Sequence, residues 1–154
     1  MTAGLTDSRF PSPPRGHIDC LPCAGVAALE IPGSVTAIGP LAFPNCKSIT
    51  SVNLPDSVTS IGENAFRGCK NLVKFTIPDS VTAIGNYAFV DCSSLASVVI
   101  PASVTSFGEA PFRGCVGLTT FSTPAKPREN LDNYLHVKPH PKFGNKFGTI
   151  ERDD

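Results

Sequence analysis

Six cysteines and three histidines are the residues of this chain with chemistry for redox or metal work. Cys20-Leu21-Pro22-Cys23 is a C-x-x-C, the spacing of a dithiol pair or of half a zinc site. His17 stands three residues upstream, and His136 and His140 would supply two more ligands. A second pattern competes with this one. Cys23, Cys46, Cys69, Cys92 and Cys115 are evenly spaced, the numbering advancing by 23 at every step. Gly16 precedes Gly39 by that same step, and Cys20 falls where Phe43 would. The pair is therefore read as a remnant of a worn repeat, with no metal or redox role. Cysteines stacked one per repeat do not converge on a metal. Buried in such a column, a thiol is a small apolar group whose S–H can reach a turn carbonyl. With no evident disulfide framework, all six thiols are expected to be free, which favours a reducing compartment.

No other constellation supports catalysis, which needs convergent titratable groups in a cleft. All three histidines lie outside the repeats, and G-x-S-x-G, Walker and H-E-x-x-H motifs are absent. Asp56, Glu63, Asp79, Asp91 and Glu109 fall on turns, as ordinary solvent-facing acids. A non-enzymatic chain with no cofactor is expected.

The elements that hold these residues follow one period. Proline recurs at Pro32, Pro55, Pro78, Pro101 and Pro124, glycine at Gly39, Gly62, Gly85 and Gly108, and phenylalanine at Phe43, Phe66, Phe89 and Phe112, always at the step of the cysteines. The unit reads L-x-x-V-x-I-P-x-S-V-T-x-I-G-x-x-A-F-x-x-C, clearest over Leu95–Cys115. Within one unit, Val52 and Leu54 alternate as on a short strand with one buried face. Pro55 ends that strand, lacking the N–H for another ladder bond. Val58 and Ile61 re-enter the core, and Gly62 suits a site where a Cβ would clash. Glu63-Asn64-Ala65-Phe66 reads as one helical or 3₁₀ turn. A single unit cannot bury its apolar face alone, so the units must stack. The expected fold is a right-handed solenoid with a short parallel β-sheet on one side and turns or short helical turns on the other.

Three segments result. Residues 1–24 form an N-terminal extension with a decayed half-repeat. Residues 25–124 form the solenoid, four repeats and a final strand. Residues 125–154 form a C-terminal cap and tail. The pattern fails after Pro124, and Pro127 to Leu135 suit a short capping helix with Leu131, Tyr134 and Leu135 on one face. Beyond it, HVKPHPKFGNKF carries three lysines and no acid, with Phe143 and Phe147 interleaved. It is read either as a solvated extended tail or as a docking arm anchored by those two rings. Nucleic acid is not expected as a partner, since about three lysines neutralise only about three phosphates.

The unit resembles the BspA-like leucine-rich-repeat family, whose repeat has this length and the same I-P-x-S-V-T-x-I-G-x-x-A-F-x-x-C signature. The resemblance covers about Val26 to Pro124 and implies a module that binds protein or matrix. Family members include surface adhesins and uncharacterised intracellular proteins.

Partner contact is expected on the outward strand positions Ala28 and Glu30, Ser51 and Asn53, Lys74 and Thr76, Ser97 and Val99, and Thr120 and Ser122. Their small side chains permit close approach but offer few of the aromatic and Arg anchors typical of hot spots. Thirteen basic and thirteen acidic residues balance, so no global field draws the chain to nucleic acid or an anionic membrane. No apolar run approaches the roughly 20 residues of a membrane-spanning helix. Asp7, Arg9 and three prolines break up the first twenty residues, which contain no signal-peptide core. An intracellular interaction or accessory subunit is the expected role, with a surface adhesion or matrix-binding module as the alternative.

Overall fold

The computed structural model describes residues 2–4, 17–18 and 25–122. The expected cap and the Phe143/Phe147 tail lie outside them, as do Cys20, Cys23, His136 and His140.

Each repeat contributes two short strands, and the coils stack in parallel. Thr2–Gly4 (β1), Ala28–Glu30 (β3), Ser51–Asn53 (β5), Lys74–Thr76 (β7), Ser97–Val99 (β9) and Thr120–Ser122 (β11) form a six-stranded sheet in that order. His17–Ile18 (β2), Ala37–Ile38 (β4), Ser60–Ile61 (β6), Ala83–Ile84 (β8) and Ser106–Phe107 (β10) form a second, five-stranded one. The larger sheet is the one the Val-x-Leu alternation predicts: Val52 is buried at the centre of β5 while Asn53 is exposed. The smaller sheet was not anticipated, because two-residue strands show no alternation. Its inward residue is the isoleucine before each repeat glycine, Ile38, Ile61 and Ile84.

Between the two sheets, a proline opens each tight turn, as where the Val58 N–H donates to the Pro55 carbonyl at 3.1 Å. Thr59 Oγ1 then donates to the Thr36 carbonyl one coil back at 3.1 Å, and Thr82 Oγ1 to that of Thr59 at 3.2 Å. These bonds tie successive coils at the repeat period.

The third side of each coil is a turn and not a helix. Leu41, Asn64 and Tyr87 each have φ near 53°, and Ala110 has φ 40°. Four residues on, Asn45, Gly68, Asp91 and Gly114 are left-handed as well, with φ from 57° to 78°. Two left-handed residues in five prevent a helical turn. The backbone instead bonds to the next coil: Leu41, Phe43 and Asn45 N–H donate to the carbonyls of Glu63, Ala65 and Arg67 at 2.9, 2.7 and 2.6 Å. The same three-bond ladder recurs from Asn64, Phe66 and Gly68 and from Tyr87, Phe89 and Asp91.

Inside, the phenylalanine column is a ring stack. Phe43–Phe66, Phe66–Phe89 and Phe89–Phe112 centroids lie 5.3, 5.4 and 5.2 Å apart, within 15° of parallel. Phe75 meets Phe66 and Phe89 edge-on, at 5.0 and 4.6 Å. Such ring pairs contribute about 0.5–1.5 kcal/mol each beyond area burial. Glycine sets how closely the coils approach. A Cβ on Gly62 would lie 2.6 Å from the Gly39 carbonyl carbon and the Pro40 nitrogen, and one on Gly85 would lie 2.6 Å from the Glu63 nitrogen.

At the N-terminal end the pairing differs from the one expected. Aligning Gly16 with Gly39 would put Arg15 opposite Ile38. The structure pairs His17 with Ala37 and Ile18 with Ile38, which puts an apolar residue in the isoleucine column. The N-terminal segment thus joins both sheets, through β1 beside β3 and β2 beside β4.

Candidate functional site

The larger sheet brings the predicted contact residues into rows. One row runs through Ala28, Ser51, Lys74, Ser97 and Thr120, each the Cα partner of the next. The second contains Glu30, Asn53 and Thr76, then Val99 and Ser122. Between the rows, Leu29, Val52, Phe75 and Val98 are buried, so the rows rest on core. Glu30, Asn53, Lys74, Thr76, Ser97, Val99 and Thr120 are exposed and Ser51 is half-buried. Phe143 and Phe147 belong to the part of the chain outside the described residues, so no spatial relation joins them to these rows.

Two features shape the face. Asn53 Nδ2 donates to Glu30 Oε2 at 2.9 Å, so neighbouring rungs share a polar pair and the carboxylate is partly engaged. Val99 is 54 % exposed and places an apolar side chain in a row otherwise polar. Lys74 is the one cation among the row residues, and Glu30 the one anion.

The cysteine column packs inside the turn side of the coils. Cys69, Cys92 and Cys115 are free and buried. Their Sγ atoms donate to the carbonyls of Phe43, Phe66 and Phe89 in the preceding coil, at 3.2, 3.1 and 3.1 Å. This is the thiol-to-turn-carbonyl role that the spacing suggested. Hydrogen bonding with Cys92 holds the Cys69 thiol below its ordinary value, against the opposing effect of burial. Hydrogen bonds with Cys115 and Cys69, together with burial, push Cys92 up. Cys92 therefore stays protonated, an inert donor and not a nucleophile.

Cys46 differs from the other three in its covalent state. It is disulfide-bonded, so the expectation of six free thiols is corrected. With no S–H, its 4.0 Å approach to the Pro44 carbonyl is a contact and not a hydrogen bond. Sequence spacing did not reveal this, because the period marks Cys46 as equivalent to three cysteines that remain reduced.

On the turn side, Tyr87 donates to the Glu109 carboxylate, which raises the phenol above its ordinary value. Asn86 Oδ1 accepts the Glu109 N–H at 2.7 Å. These bonds order the turns one coil apart. Among the described residues, no three or more His, Cys, Asp or Glu side chains are grouped to hold a metal, and no helix is long and apolar enough to cross a membrane.

Comparison with solved structures gives the same architecture. The chain is similar to a T. pallidum leucine rich repeat protein, at 31 % identity and TM-score 0.67, over 75 % of this chain and 54 % of that one. It is similar to a leucine-rich repeat protein from Bacteroides ovatus at 34 % identity and TM-score 0.59, over 68 % of this chain and 26 % of that one. A leucine rich cell surface protein from Faecalibacterium prausnitzii aligns at 29 % identity and TM-score 0.68, over 79 % of this chain and 33 % of that one. This chain thus spans from about a quarter to about half the length of these relatives. No curated protein matches it. The BspA type leucine rich repeat model matches in six copies over residues 20–136, and the chain belongs to that family.

Proposed function

We propose that this solenoid is a non-catalytic protein-binding module that docks its partner on the larger sheet. The observation carrying this reading is the pair of rows, Ser51–Lys74–Ser97–Thr120 and Asn53–Thr76 with Val99–Ser122, on a buried and laddered base, with Asn53, Lys74, Thr76, Ser97, Val99 and Thr120 exposed. Small side chains on a rigid base let a partner backbone approach closely at little cost in ordering entropy. Lys74 and Val99 supply the charged and apolar contacts that give such a face selectivity. In this reading Phe143 and Phe147 anchor a tail arm that adds to the same contact, as one part of a larger assembly.

A photo-crosslinking amino acid placed at Thr76 or Ser97, compared with one at Lys70 or Arg113 on the turns, tests the face in native cells. Partner adducts should form from the sheet positions and be several-fold weaker from the turn positions. Adducts confined to the turn positions would overturn the proposal.

A second reading, a surface adhesion or matrix-binding module, is favoured by two observations. One is the likeness to the F. prausnitzii cell surface protein. The other is the Cys46 disulfide, which removes one ground for an intracellular place, since such bonds persist in oxidising surroundings. Labelling intact cells with an impermeant amine reagent separates the readings. Labelled chain supports the surface module, and chain labelled only after lysis supports the intracellular one.

A further inference from the structure

Several core side chains of the last described coil are buried as deeply as those of the middle coils, although Phe107 is half-buried. Ile100, Val104, Ala110 and Phe112 are no more than 1 % exposed, like Val58, Phe66 and Leu72 nearer the centre. Pro101 is buried as well, whereas Pro32, Pro55 and Pro78 in the same column are half-buried. Yet β10 and β11 are the terminal strands of their sheets, with no described coil beyond them. The end coil of an open solenoid shows a flank to water unless something covers it.

The backbone carries the same message. In each turn ladder the N–H groups of one coil donate forward, as Tyr87, Phe89 and Asp91 do to the carbonyls of Glu109, Pro111 and Arg113. By that direction, the N–H groups of Ala110, Phe112 and Gly114 face the place a further coil would occupy. Buried N–H groups are almost always paired.

We propose that residues 123–136 of the same chain cover this end. The chain leaves the described fold at Ser122, the last residue of the edge strand β11, so this segment is delivered to the site without a linker. An intramolecular occupant so tethered has a high effective concentration over any free partner. The family match also runs to residue 136, past the last described strand. Leu131, Tyr134 and Leu135 give the segment the apolar side chains that such a flank requires. A second copy of the chain, the competing occupant, would need an interface the concentration dependence reveals.

Amide hydrogen exchange on the full-length protein tests this, at two concentrations and with the mass followed by sedimentation. The Ala110, Phe112 and Gly114 amides should be protected at both concentrations in a monomer. In the full-length Leu131→Asp/Leu135→Asp variant they should exchange at least about tenfold faster, while Phe43 and Phe66 amides stay unchanged. Unprotected amides in the wild type would overturn the proposal. So would protection appearing only with dimer, or protection undiminished in the variant. If the variant does not fold, the two wild-type measurements decide the matter.

Discussion

The Sγ of Cys92 donates to the carbonyl of Phe66, 26 residues earlier and 3.1 Å away, and so joins the thiol column to the ring stack. Phe66 is thereby held at both ends of its residue, its ring between Phe43 and Phe89 and its carbonyl beneath a thiol. The bond is the reason that a cysteine, and not just any small apolar residue, suits the position. Replacing Cys92 with Ala removes the donor and leaves the Phe66 carbonyl with only the Cys69 N–H, at 3.3 Å. Stability should fall by about 0.5–1.5 kcal/mol, the net worth of one hydrogen bond. Cys92→Ser, which keeps a donor on a shorter bond, should lie between the two in urea denaturation. An alanine variant as stable as the wild type would show that the bond contributes nothing.

The same thiol makes the fold sensitive to alkali. Cys92 is raised above its ordinary 9.0 in the folded protein and titrates normally once unfolded. Above about pH 9 the unfolded chain therefore binds fewer protons than the native one, and stability falls as pH rises. The slope approaches about 1.4 kcal/mol per pH unit for one thiol. The lowered Cys69 opposes this only up to the size of its own shift. Urea midpoints between pH 7 and 10.5 should decline only over the upper part of that range. A flat profile in the wild type would sink the assignment.

Coil spacing rests on glycine. A Cβ at Gly85 would meet the Glu63 nitrogen at 2.6 Å and the Gly62 carbonyl carbon at 2.7 Å, both rigid backbone atoms. Gly85→Ala must therefore push two coils apart across the ladder. A loss of about 3 kcal/mol is expected, measured by thermal or urea unfolding. The control Gly33→Ala, where no atom lies within 4 Å of the added carbon, should change stability little.

Leu41 offers the opposite sign. Its φ is 53° and its side chain is largely exposed, so it bears left-handed strain with little burial in return. Leu41→Gly should raise stability by about 1 kcal/mol, since the strain relieved exceeds the chain entropy lost. A destabilised variant would mean that the Leu41 side chain packs more usefully than its exposure indicates.

Sequence alone determined the repeat and most of its interior. Side chains repeating at one fixed period must occupy equivalent places, so Phe43, Phe66, Phe89 and Phe112 had to stack and Val52 had to face inward. It also placed Ser51, Lys74, Ser97 and Thr120 on one outward row, because a period of two assigns faces within each strand. Tertiary structure decided what periodicity cannot express. The second sheet is made of two-residue strands, too short to alternate, and it exists because stacking lines up Ile38, Ile61 and Ile84. The turn side became a ladder between coils when Leu41, Asn64 and Tyr87 turned left-handed, and only Asn64 among them has a side chain that favours that conformation. Cys46 is disulfide-bonded while Cys69, Cys92 and Cys115 are free, a difference that their shared period does not express. A period says which residues are equivalent; only the fold says what each coil meets.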